Sequence, residues 1–358
     1  MSAQREIVGV QYLRGIAACA VVFDHTSAMA GLDKYFGQSL WGGWLEKGAL
    51  GVDLFFMISG FIIAIVSLQK DSTAPGVGIA EFARRRAFRI LPMMWLAILT
   101  YAALRTASGV AFEPLPYLRA LAVWPVGDLE PNIIWTLRHE AIFYVLFAAT
   151  FLSRAWLRPL IALWIAAPFL YVLVTGSSVP DPAVPDIWWS LSHPVNVEFG
   201  VGLAFGLIWT RWLHGRSIKI PYLAAIALLY FVAAVAVGNV LDLRADRVAD
   251  TLITALMFAP LLALAIWGAG PPNRFALLLG NASFAIYLFH VHFISALLRV
   301  WSGALPQTQL AVVVITIAGL TIGAGVMIHL MFERPLQSRL SRWWTSRSLT
   351  RGQSTSGA

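Results

Sequence analysis

Apolar residues run along this 358-residue chain in long blocks separated by short polar stretches. A helix needs about 20 predominantly apolar residues to cross a bilayer. Ten blocks approach or reach that length, near residues 7–29, 48–69, 88–107, 134–153, 157–175, 188–209, 220–240, 250–268, 281–302 and 308–331. Such blocks are helical, because a backbone in lipid must satisfy its own hydrogen bonds. The pattern predicts an all-α integral membrane protein, a bundle of about ten transmembrane helices filling residues 1–333. Residues 334–358 read as a basic, Ser-rich tail that frays. No internal repeat is visible along the chain.

Composition and charge sharpen this picture. Hydrophobic residues make up 59% of the chain and charged residues 12%, where a soluble domain carries about 25% charged. One soluble core would not hide so much apolar surface. The net charge of +8 is explained by its distribution, so no nucleic-acid partner is expected. With the N-terminus inside, 17 Lys and Arg fall on the inner side, from Arg5 to Arg351. Only seven fall outside: Lys34, Lys47, Arg105, Arg119, Arg244, Arg247 and Arg299. Basic loops stay in the cytoplasm. Both termini are therefore expected there, in a multi-pass protein of the inner (plasma) membrane. Ala28-Met29-Ala30 looks like a signal-peptide cleavage site, but Arg14, Asp24 and His25 interrupt the apolar region such a peptide needs. The first segment is read as an uncleaved helix. Cys19 is the single cysteine, so no disulfide can form within the chain.

Several ionisable residues sit inside the apolar blocks, where charge is expensive and marks functional candidates. Arg14 and His25 are eleven residues apart, roughly 16 Å along one helix and within about 20° of the same face. Such a face lines a path through the bundle. Asp53, Glu140, His193, Asn196 and Glu198 fall in the outer halves of their segments. Ser283, Tyr287 and His290 share a helix face through i, i+4, i+7 spacing. A second group marks the inner surface: Arg84, Arg85, Arg86 and Arg89 in RRRAFRILP. The arginine fork suits phosphate, and Arg85 and Arg89, four apart, share a face. The alternative for this cluster is a plain topology anchor. Ser59 has no G-x-S-x-G elbow around it and reads as a helix-packing residue. His139 points about 100° away from Glu140 and is expected to be structural. The histidines are too scattered for a metal site.

These motifs together resemble acyltransferase family 3, multi-spanning membrane enzymes that modify hydroxyl groups of sugars and other acceptors. LRGIAACAVVFDH is similar to the family's Arg-x10-His signature, and GVDLFFMISGFII to its second-helix motif. RRAFRILPMMW resembles the third-helix motif, and PNIIWTLRHEAIFY the Trp-x4-Glu-x2-Phe-Tyr element that contains Trp135 and Glu140. NASFAIYLFHVH resembles the Ser-x3-Tyr-Leu-x-His element, and FERPL, with Glu333, the closing Glu-x-Pro. The six occur in family order. Departures are Phe284 at a position often held by tyrosine, and a basic Arg138-His139 before the glutamate, which bears on acceptor choice. Some family members carry a C-terminal hydrolase-like domain; this chain is expected to lack one.

The resemblance implies transfer of an acyl group, most often acetyl, from cytoplasmic acyl-CoA to a hydroxyl of a cell-surface polysaccharide or its lipid-linked precursor. No bound cofactor is implied, since acyl-CoA is a substrate. Carried onto this sequence, the donor phosphates fall to Arg85, Arg86 and Arg89. His25 becomes the general base, with Glu140 orienting it and Arg14 guiding the donor or stabilising negative charge. Direct transfer and an acyl-His25 intermediate both stay open. Asp53, Ser59, Trp135, Glu198, Tyr287, His290 and Glu333 form a supporting polar layer. The alternative from the residues alone is a proton-coupled transporter of a small polar solute, since such proteins also carry membrane carboxylates and histidines.

Overall fold

The computed structural model describes residues 7–342 except 39, 70–73, 178–186, 214, 245 and 305–308, and also residue 344. Twelve α-helices account for nearly all of it. They are α1 (Val8–Ala30), α2 (Leu50–Ser67), α3 (Ile79–Ala107), α4 (Pro114–Leu121), α5 (Trp135–Ala149) and α6 (Arg154–Thr175). After these come α7 (Ile187–Ser192), α8 (Val195–Ile208), α9 (Leu223–Val240), α10 (Val248–Trp267), α11 (Arg274–Ala304) and α12 (Leu310–Ile328). Among the described residues, the strand pairing is a two-residue parallel ladder, β1 (Ile218–Lys219) with β2 (Gly268–Ala269), joining the chain after α8 to the end of α10, and an isolated bridge between Leu68 and Pro75.

Among the described residues, eight helices are long and apolar enough to cross a membrane. They are α2, α3, α6, the α7–α8 pair, α9, α10, α11 and α12. The α7–α8 pair is interrupted at His193–Pro194. The other two of the ten apolar segments behave differently. α1 has the length, 23 residues, but Arg14, Asp24 and His25 dilute its hydropathy. α5 has 15 residues, short of the about 20 a bilayer requires. The chain after α12 also differs from the expected fraying. It passes through a π turn at His329–Glu333 and stays helical through Arg342, so no break separates 333 from 334. The rest of the tail, residue 344 apart, lies outside the described residues.

The bundle turns apolar side chains both inward and outward, as a protein solvated by lipid does. Leu173, Val174 and Val240 are all more than 80% exposed. α1 packs against α2, α9, α10, α11 and α12, and a central helix tolerates polar residues because its neighbours shield them from lipid.

Two close crossings set the register of the polar residues. A Cβ on Gly280 of α11 would lie 2.1 Å from the carbonyl oxygen of Gln11 on α1. One on Gly202 of α8 would lie 1.8 Å from that of Met57 on α2. Neither crossing has room for a side chain, and small residues are what allow membrane helices such close approach. The first crossing joins the helices bearing His25 and His290; the second joins those bearing Asp53 and Glu198.

Candidate active site

A cavity with about 780 Å³ of empty space opens between α1, α2, α3, α5 and α11. Three guanidinium groups line it: Arg14 from α1, and Arg86 and Arg89 from α3. Arg86 and Arg89 are three apart and share a helix face. The buried Nε of Arg86 has no hydrogen-bond partner among the described residues, and its guanidinium lies 5.6 Å from the centre of the Tyr144 ring. An unsatisfied guanidinium donor in a cavity is suited to an anion. Arg85 does not join them. It lies on another face of α3, where its Nε donates to Glu81 at 2.6 Å. Of the three arginines expected at the donor site, Arg86 and Arg89 line this cavity and Arg85 does not.

On the far wall, Glu140 accepts a hydrogen bond from Ser59 Oγ at 3.1 Å and another from the Tyr144 hydroxyl. Ser59 is therefore more than a packing residue. Tyr287 lines the same cavity. Its hydroxyl pairs with Thr136 Oγ1 at 2.8 Å and lies 3.0 Å from the Ile133 carbonyl.

The cavity adjoins a second one toward the end of the bundle where the chain starts. Arg14 and Arg89 line both. The second holds Gln11, Asn281, His329, Glu333, Arg334 and Gln337, in about 960 Å³ of empty space. Glu333 there accepts from His329 Nδ1 at 2.7 Å and from Gln337 Nε2 at 3.1 Å. His329 was not singled out from the sequence, and Tyr144 entered only as the closing tyrosine of the Trp-x4-Glu-x2-Phe-Tyr element. Both stand four residues from a glutamate that was singled out, the spacing that brings helical side chains together.

His25 lies beyond the cavity in the other direction. The Tyr287 ring is 5.7 Å from that of His290, which meets the His25 ring edge-on at 4.7 Å. The carboxylate beside His25 is Asp24, not Glu140. His25 Nδ1 lies 3.1 Å from Asp24 Oδ2 and 3.1 Å from the Val21 carbonyl. Both atoms only accept, so Nδ1 carries the proton. In the neutral ring the Nε2 lone pair is then left for a substrate proton. His290 is fixed in the same sense: its Nδ1 donates to the Tyr287 carbonyl at 2.5 Å, and its buried Nε2 has no partner among the described residues. Glu140 is placed with Ser59 and Tyr144, and the carboxylate the structure sets beside His25 is that of Asp24. Asp24 precedes His25 directly, and that adjacency was the available signal.

Asp53 and Glu198 face each other across α2 and α8, buried, and line none of these cavities. Trp135 packs outside the arginine cavity, against His139 at 5.6 Å and His193 at 5.4 Å. His139 donates to the Trp135 carbonyl at 2.9 Å, in keeping with a structural role.

The model of an acyltransferase domain matches residues 7–331. The chain is 32% identical to the exopolysaccharide production protein ExoZ of Rhizobium meliloti, over 82% of this chain and 90% of that protein. It is 28% identical to the acyltransferase MdmB of Streptomyces mycarofaciens, over 92% and 91% of the two chains. A shorter stretch, 41% of this chain, is 26% identical to a quarter of the O-acetyltransferase OatA of Staphylococcus aureus. No solved structure matches the chain. With nearly all of its membrane region covered by the family model, the chain belongs to acyltransferase family 3.

Proposed function

We propose that this protein moves an acetyl group from cytoplasmic acetyl-CoA to a hydroxyl of a cell-surface polysaccharide or its lipid-linked precursor, in the inner membrane. One observation carries the reading: three arginines line a cavity on the side of His25 from which the chain enters the bundle. The 17 to 7 division of basic residues favours the cytoplasm on that side. An anionic donor with a long flexible arm fits this order. Arg86 and Arg89 hold its phosphates, Arg14 guides the arm, and the thioester reaches upward past Tyr287. Names among the relatives support the acceptor class, one an exopolysaccharide production protein and one an O-acetyltransferase.

His25 Nε2 takes the proton of the acceptor hydroxyl as its oxygen attacks the thioester carbonyl. The carbon–sulfur bond breaks, and the CoA thiolate takes the proton back from the imidazolium. Asp24 holds the ring in the tautomer that leaves Nε2 basic, and steadies its charged form. Family membership favours this transfer over the proton-coupled transport that the buried carboxyls alone would allow.

The test is a transfer assay on membranes carrying the protein, with radiolabelled acetyl-CoA and polysaccharide from cells that lack it. Label should enter the polysaccharide in alkali-labile form only when the protein is present. Equal labelling with and without the protein would overturn the reading.

A further inference from the structure

A third cavity lies at the opposite end of α5 from Tyr144, with about 1210 Å³ of empty space. Trp135, Trp189 and His193 line it together with the acidic residues Asp128, Glu130 and Asp246. Its walls are fixed by specific bonds. Arg138, 1% exposed, donates from Nε to the Trp124 carbonyl at 2.9 Å and from Nη2 to the Gly127 carbonyl at 2.5 Å. That clamps the loop carrying Asp128 and Glu130 onto α5. Ser190 Oγ donates to the Pro125 carbonyl at 2.6 Å and ties α7, with Trp189, to the same loop. Trp135, Trp189, His139 and His193 pack as one cluster of edge-on and tilted rings, the two imidazoles 4.6 Å apart.

The chemistry of the lining selects its ligand. His193 is 8% exposed, and its Nδ1 accepts the N–H of Val195 at 3.3 Å. The proton is therefore on Nε2, which has no described partner. Arg138 keeps its positive charge while it donates to backbone carbonyls, and Arg105 lies 3.8 Å from Glu130, so basic groups offset much of the charge of the three carboxylates and the lining favours no ion of either sign. Indole faces, carboxylate acceptors and one imidazole donor together match a neutral polyol with apolar ring faces. The cavity itself holds about 600 Å³, within the about 300–1,000 Å³ of typical small-molecule pockets. α5 also links this cavity to the other. Trp135 and Arg138 line the outer one, while Thr136, Leu137 and Glu140 line the arginine cavity.

We infer that this cavity is the acceptor site and holds a neutral stretch of the polysaccharide, with Trp135, Trp189, His193 and Asp128 as its contacts. The inference rests on the proposed function and adds to it the place and chemistry of the acceptor. Arg138 acts through the loop it clamps and is a positioning residue.

The test uses the full-length protein in membranes, with acetyl-CoA and polysaccharide from cells lacking the protein. Trp189→Ala and Asp128→Asn should each raise the KM for polysaccharide about tenfold, the size expected for losing an aromatic or charged anchor. The KM for acetyl-CoA should stay at the wild-type value. Because Trp189→Ala removes packing, Asp128→Asn at an exposed loop position and Trp189→Phe decide the matter should it not fold. Trp189→Phe should retain more acceptor affinity than Trp189→Ala. Wild-type KM values for polysaccharide in all folded variants would overturn the inference, while a wild-type protein that transfers no label fails the proposed function instead. A second measurement is independent of turnover. Asn132→Cys in intact cells should react with a membrane-impermeant maleimide, and added polysaccharide should slow that reaction about fivefold or more. Oxidising the primary hydroxyls of the polysaccharide to carboxylates should remove the protection. Labelling unaffected by the polysaccharide, or reached only from the cytoplasmic side, would overturn the inference.

Discussion

Replacing Asp24 by Asn tests which carboxylate serves His25. The substitution keeps the shape and removes the charge. Asp24 Oδ2 and the Val21 carbonyl each lie 3.1 Å from His25 Nδ1, so the carbonyl still holds the proton there when the carboxylate is gone. The loss should therefore be smaller than that of the base itself. Groups that orient a functional histidine are worth about 10–100-fold, and general base catalysis about 10²–10⁴-fold. Transfer by Asp24→Asn should thus fall about 10–100-fold, equivalent to ~1.4–2.7 kcal/mol of transition-state stabilisation. His25→Ala should fall by the larger factor. Glu140→Gln should act differently, because Glu140 accepts from Ser59 and Tyr144 on the wall of the arginine cavity. Its effect should appear in the KM for acetyl-CoA. The assay is initial-rate label transfer at saturating acetyl-CoA, normalised to inserted protein. A fully active Asp24→Asn beside an inactive Glu140→Gln at saturating donor would refute the pairing and return the orienting role to Glu140.

Other outcomes follow from the same geometry. Arg86→Ala and Arg89→Ala should each raise the KM for acetyl-CoA about tenfold, while Arg85→Ala, whose partner is Glu81, should leave it near wild type; equal effects of all three would make the cluster a topology anchor only. Reporter fusions after Arg216 and after Arg247 should report opposite sides of the membrane, cytoplasmic for the first. Gly280→Val forces a side chain against the Gln11 carbonyl and should cost about 1–3 kcal/mol, read as a lower melting temperature of the purified protein and a loss of transfer. The KM for polysaccharide should rise as pH falls from about 7 to about 5. Burial, with Glu113 and Asp128 nearby, holds Glu130 above the usual carboxylate range against the opposing Arg105, with Tyr117 of α4 also facing it. The carboxylate is the better acceptor for a sugar hydroxyl, and Glu130→Gln should flatten that dependence.

The helices were legible in the sequence because lipid imposes one requirement on every spanning segment. That requirement counts apolar residues without asking what surrounds them, and α1 and α5 mark where counting stops working. α1 holds Arg14 and His25 half-buried among five neighbouring helices, so its polarity reports a central position and lowers its hydropathy. The pairing of residues within one helix was also legible. Eleven steps of 100° put Arg14 and His25 on one face, and the structure places Arg14 on the cavity and His25 beyond it against His290. Partnerships between helices were not legible, because they depend on crossings. The α1–α11 crossing at Gly280 sets His25 beside His290, and the contact between α2 and α5 gives Glu140 to Ser59. With Glu140 so engaged, the carboxylate left for His25 is the one its own backbone supplies. Arg138 shows the same limit from another direction. In the sequence it is a basic residue two positions before a glutamate, read as bearing on acceptor choice. In the structure its guanidinium folds a loop onto α5 through two backbone carbonyls. The charge that stood out along the chain builds the wall of a cavity, and that wall carries Asp128 and Glu130.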